Sequence, residues 1–187
     1  MISGGWLLVS NVVIVSSSAA PQLLVETTYQ GISIYPNLRT VLSGEAMYHL
    51  RAHLSFTQLR FHCRKLLGRT FHVTTVANAS GEAVVQYFSG QTNVQPDACG
   101  SFVRMDDDDS VMARRCREWG ADGWTQHNVF KTDKWGPWFY NQLRLFDHPA
   151  FVVAISHWIL SQDGSRLECD DYNSDISPGD FWKVFVR

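Results

Sequence analysis

The sequence lacks any apolar run near the roughly 18 residues that a membrane-crossing helix needs, so no spanning helix is expected. It has no Cys-X-X-Cys pair, which removes the usual signature of zinc ribbons and of thioredoxin-type redox chemistry. It has no nucleophile elbow, no HExxH, no P-loop and no dinucleotide fingerprint. Proline and glycine are sparse, at six and thirteen, and sit at turns. There is no internal repeat and no low-complexity tract, which excludes a solenoid and a disordered tail. Charge of one sign is also missing in bulk: the net charge of -2 gives no argument for nucleic acid as a partner.

What is present is the composition of a globular protein, with 187 residues, 45% of them apolar and 18% charged. No linker or composition shift divides the chain, so residues 1–187 are expected to form a single unit. The cysteines are Cys63, Cys99, Cys116 and Cys169. An even count at wide spacing suits two disulfides and an extracellular, secreted protein, with three connectivities open. Asn78-Ala79-Ser80 is a glycosylation sequon that fits the same compartment. Two readings of residues 1–20 stand side by side. Trp6 to Val15 is either the apolar part of a signal-like segment or a first strand over Leu7 to Val15.

Period-two alternation dominates the chain. Tyr48 to Phe56, Gln58 to Arg64, Thr70 to Ala77 and Glu82 to Ser89 read as successive strands of an antiparallel meander. Phe151 to Leu160 and Ser165 to Asp171 flank an Asp163-Gly164 hairpin signal. Phe181 to Arg187 closes the chain, with Trp182, Val184 and Val186 on one face. A single short helix is expected at about 110–119, capped by Asp109 or Ser110 and ended by Gly120. The predicted fold is therefore mostly β, an antiparallel two-sheet sandwich or flattened barrel with one short α-helix.

Three clusters are candidates for function. From Ala46 to Gly81 there is no Asp or Glu, while Arg51, Arg60, Arg64, His49, His53, His62 and His72 alternate along predicted strands. On consecutive strands they would share one surface. Arginine forks spaced across a sheet suit sulfate, phosphate or carboxylate. The same histidines invite a zinc reading, weakened by the absence of a nearby carboxylate in the sequence and by the adjacent arginines.

The run Asp106 to Asp109 invites a calcium site. It fails the EF-hand pattern, because Val111 and Arg117 stand where Gly and Glu are needed. A calcium ion would then have to be held by Asp106 and Asp108 together with Asp170 and Asp171. Finally, Trp119, Trp124, Trp135 and Trp138 crowd one irregular segment with Tyr140, among glycines that could display the rings. Exposed indoles stack on the apolar faces of sugars.

The leading expectation is a secreted, lectin-like module that recognises glycans or an anionic polysaccharide through Trp124, Trp135, Trp138, Tyr140, Arg51, Arg60, Arg64, His49 and His62. Its first rival is an extracellular hydrolase using a cleft carboxylate or histidine. Its second is a structural or assembly module of a larger extracellular protein, with the aromatic segment buried against a neighbour.

Overall fold

The structure is a computed structural model that describes residues 5–16, 21–33, 38–120, 133–136, 144–146, 149–152 and 155–187. Among these, ten strands form two sheets: β1 (Leu7–Val13), β2 (Leu24–Glu26), β3 (Arg39–Leu42), β4 (Leu59–Arg64), β5 (Thr70–Thr75), β6 (Phe102–Arg104), β7 (Phe151–Val152), β8 (Ser156–Leu160), β9 (Leu167–Asp171) and β10 (Phe181–Val186). The larger sheet has the order β2-β3-β1-β10-β4-β5-β6 and the smaller β7-β8-β9. The protein is thus mostly β and two-sheeted, as its alternation predicts. Every pairing is antiparallel except β2 with β3. Leu7–Val13 forms β1, which lies between β3 and β10.

Alternation decides which face each strand buries. On β4, Leu59, Phe61 and Cys63 are buried; on β5, Phe71 and Val73; on β10, Trp182, Val184 and Val186. These side chains meet Val84, Val85 and Phe88 and the small sheet's Trp158, Leu160 and Leu167 in one continuous core. Phe61 alone touches the rings of Phe88, Trp135 and Trp158. The layers are stapled by Cys63–Cys169, which joins β4 to β9, and Cys99–Cys116 ties the loop before β6 to the segment after the third helix. Both bridges fit an oxidising compartment. No helix among the described residues is long and apolar enough to cross a membrane.

Two expected strands are helices. The first is α1 (Gly44–Leu54), which replaces the strand predicted over Tyr48 to Phe56. The Ser43 side chain caps it by accepting from the Ala46 N–H, and Glu45 sits favourably in its first turn. The residues it buries, Ala46, Met47 and Leu50, have helical spacing, whereas Tyr48 and Leu54 of the apparent alternation are exposed. Ser55 ends the helix at φ 48°.

The second is α2 (Ala79–Phe88), in place of the strand predicted from Glu82 to Ser89. Asn78 of the sequon is its N-cap, accepting from the Ser80 and Gly81 N–H groups. Gly81 packs so tightly against Val76 that a Cβ there would lie 1.8 Å from the Val76 carbonyl oxygen.

The helix expected at 110–119 is present but short. It comprises α3 (Val111–Arg114), with Ser110 as its cap, and a 3-10 turn over Cys116–Glu118. Its first N–H groups are satisfied not by the neighbouring aspartates but by Asp170 of β9, which accepts from Val111 at 2.8 Å and Met112 at 2.7 Å.

Candidate functional site

The helices and the small sheet pack on one face of the large sheet. Its other face carries the alternate residues: Arg60, His62 and Arg64 of β4, Thr70, His72 and Thr74 of β5, and Phe181, Lys183 and Phe185 of β10. All are half-buried except Arg64, which is exposed, and Thr74, which is buried. The register sets Lys183 opposite His62 and His62 opposite His72 in one row across three central strands. The two imidazoles stack, with centroids 3.7 Å apart and planes within 3°. The Phe181 ring meets His62 edge-on at 4.8 Å, and the Lys183 ammonium lies 5.0 Å from the Phe181 centroid. Farther along the face, the indole of Trp6 lies against the guanidiniums of Arg60 at 4.1 Å and Arg187 at 4.9 Å.

The acidic run after β6 supplies the carboxylate that this stretch of sequence lacks. Its backbone extends the ladder along β5: Met105 donates to the His72 carbonyl and Asp109 to the Thr70 carbonyl. The Asp108 side chain accepts from the His72 N–H and from Ser110, and the Asp109 side chain accepts from the Thr70 N–H. Between these anchored neighbours, Asp107 meets the outer face. One of its oxygens lies 2.5 Å from His72 Nδ1 and the other 3.6 Å from His62 Nε2.

Burial pushes the His62 pKa down to about 4; the stacked His72 works in the same direction and Asp107 against it. Burial also pushes Asp107 up, but the hydrogen bond and charge of His72 outweigh it and hold the carboxyl below its ordinary value. At neutral pH, His62 is therefore neutral and Asp107 anionic.

A second histidine–carboxylate pair lies in the small sheet. His157 Nδ1 is 2.6 Å from Glu168, and Arg166 forks onto the same carboxylate at 3.0 Å through each of two nitrogens. Phe151 and Tyr172 enclose the imidazole. His157 is 3% exposed and Glu168 2%, which closes this pair to a substrate of any size.

The predicted surface of seven basic residues divides. Arg60, His62, Arg64 and His72 share the outer face as expected. His49, Arg51 and His53 do not join them, because α1 is a helix. Arg51 is instead bound to Glu82 and Gln91, His53 packs on Tyr29, and His49 is exposed beside Tyr48.

Of the aromatic segment, Trp124, Trp138 and Tyr140 lie outside the described residues. Trp135 is fully buried, donates to Ser101 Oγ at 2.8 Å and packs edge-on against Trp119 at 4.7 Å, so its place is the core. The four aspartates of the calcium expectation are dispersed in role. Asp108 binds Arg104, Asp170 caps α3 and binds Arg69, Asp171 pairs with Lys65, and Asp106 is exposed. Among the described residues, the grouping of metal-ligating side chains is His62, His72 and Asp107.

Asp107 was the residue that sequence reasoning missed. The signal lay in the run Asp106 to Asp109, but the sequence reading placed no strand before it, and it is β6, paired with β5, that brings the run beside the histidines. Comparison of the chain with protein-family models, with curated proteins and with solved structures finds no match.

Proposed function

We propose that the chain is an extracellular recognition module that binds anionic glycans, sulfated or uronic, through the outer face of the large sheet. One observation carries this reading. Arg60, Arg64 and Lys183 stand together on that face, and none of them makes an ion pair among the described residues. Several cations elsewhere are matched: Arg51 with Glu82, Lys65 with Asp171, Arg69 with Asp170, Arg104 with Asp108, Arg115 with Glu118 and Arg166 with Glu168. A sheet face that carries three cations without a carboxylate partner offers a site for anionic oxygens. Phe181, Phe185 and Trp6 lie among them and offer ring faces to sugar. The two disulfides support an extracellular setting.

The test is retention on immobilised heparin. The wild-type chain should bind, and elute earlier as salt rises. The Arg60→Ala, Arg64→Ala double variant should elute at markedly lower salt with an unchanged far-UV spectrum. Equal retention of the two proteins would refute the proposal.

A further inference from the structure

We propose that His62, His72 and Asp107 form a binding site for a divalent transition-metal ion, zinc foremost. The proposal does not depend on the glycan reading. One nitrogen from each imidazole and one oxygen of Asp107 lie within 4.8 Å of one another. Zinc holds such ligands at about 2.0–2.2 Å in a tetrahedron, so its donors stand roughly 3.3 Å apart. The His62 Nε2 to Asp107 separation of 3.6 Å is already close to that spacing. His72 would exchange its hydrogen bond with Asp107 for the metal, and one oxygen of the carboxylate is spare.

Two further features bear on a metal. The histidines face each other across paired strands, so two of the three ligands are anchored on the sheet backbone, and binding asks the stacked rings to turn until both lone pairs meet the ion. His72 Nε2 is buried without a hydrogen-bond partner. Asp107 accepts from His72 Nδ1, so a metal at that nitrogen displaces this bond and the ring then carries its proton on Nε2, which no other bond engages.

The donor set also selects. Two imidazoles and one carboxylate suit zinc, copper or nickel, and are poor for calcium or magnesium, which take oxygen. Arg60 and Lys183 flank the cluster and oppose a bare cation. A metal carrying an anionic ligand at its open position suits that setting, because the ligand offsets the added charge.

The experiment is a calorimetric titration of the full, chelator-stripped chain with zinc chloride. We expect saturation at one equivalent. His62→Gln and Asp107→Asn should each weaken binding at least tenfold, and millimolar calcium should not compete. The His49→Gln, His53→Gln double variant should bind as the wild type does. Cobalt bound at the same site should show the intense visible bands of a four-coordinate ion, and these bands should be absent in the variants.

The Asp107 side chain is 57% exposed, so its substitution leaves the fold intact and decides the matter even if a histidine variant fails to fold. Absence of one-equivalent saturation in the wild type would overturn the proposal. So would unchanged affinity in Asp107→Asn.

Discussion

Leu59, Phe61 and Cys63 on one face of β4, and Arg60, His62 and Arg64 on the other, are neighbours in the chain with opposite surroundings. The first three are fully buried, and two of them are tied to another layer: Phe61 to Phe88, Trp135 and Trp158, and Cys63 to Cys169 of β9. Among the described residues, Arg60 meets Thr74 and Trp6, and His62 meets His72, Phe181 and Asp107, all in the same sheet or at its rim. A strand that joins layers on one face must keep that face apolar and complementary. Nothing in the described packing asks for two stacked histidines and three unmatched cations on the other. The inner face therefore accounts for stability, and the outer face is where chemistry can be sought.

The largest effects should come from the inner face. Cys63–Cys169 spans 106 residues, so replacing both cysteines by alanine should cost about 4–5 kcal/mol, chiefly by freeing the unfolded chain. Cys99–Cys116 spans only 17 and should cost about 3 kcal/mol. Denaturant unfolding of the two double variants gives both numbers, and a reversed order would mean that the long bridge is not the main staple. Next, Trp182→Ala removes a fully buried indole and its hydrogen bond to the Glu168 carbonyl at 3.0 Å, for a loss of about 3–4 kcal/mol. A loss below about 1 kcal/mol would show that this face is not the core.

A smaller, pH-dependent effect should come from Glu168. Burial pushes its carboxyl up, but the hydrogen bonds and charges of His157 and Arg166 outweigh this and hold it below its ordinary value of 4.5. The unfolded state then takes up a proton before the folded state does. Glu168's contribution is thus present above pH 4.5 and is lost as pH falls through its lowered folded value. Melting temperature followed from neutral to acid pH should fall less steeply in Glu168→Gln than in the wild type. Parallel curves would place acid sensitivity elsewhere.

Much of the strand framework was legible because alternation reports burial directly on β4, β5 and β10. The same pattern misled at Tyr48, Leu50, Ala52 and Leu54, where spacing by two coincides with part of a helical stripe. Ser43 followed by Glu45 was the better signal, since it satisfies a helix's free N–H groups. Trp135 beside Gly136 resembled a ring displayed on a turn. Gly136 instead sits at φ +74° with Tyr87 so close that a Cβ would not fit, and the Trp135 indole is buried.

The candidate site was half legible. His62 and His72 fell on one predicted face, but their opposition depends on the β4–β5 register, and Asp107 arrives from 35 residues beyond His72. A stretch without acid in the sequence is not one without acid in space.

The smallest expected effect tests the comparison from its other side. Arg64 is exposed with no carboxylate partner among the described residues, and Lys183 rests its ammonium over Phe181 without an ion pair. If the outer face contributes little to folding, the Arg64→Ala, Lys183→Ala double variant should change unfolding free energy by no more than roughly 0.5 kcal/mol. The sign is informative as well. Three cations crowded on one face repel one another, and removing two of them relieves that repulsion, so a slight gain in stability at low ionic strength is the expected direction. The gain should fade as salt screens the charges that remain. Unfolding curves in dilute buffer and at high salt measure both quantities. A loss above about 1 kcal/mol that persists at high salt would mean these side chains serve packing through their aliphatic stems, and the division between the two faces of β4 would fail.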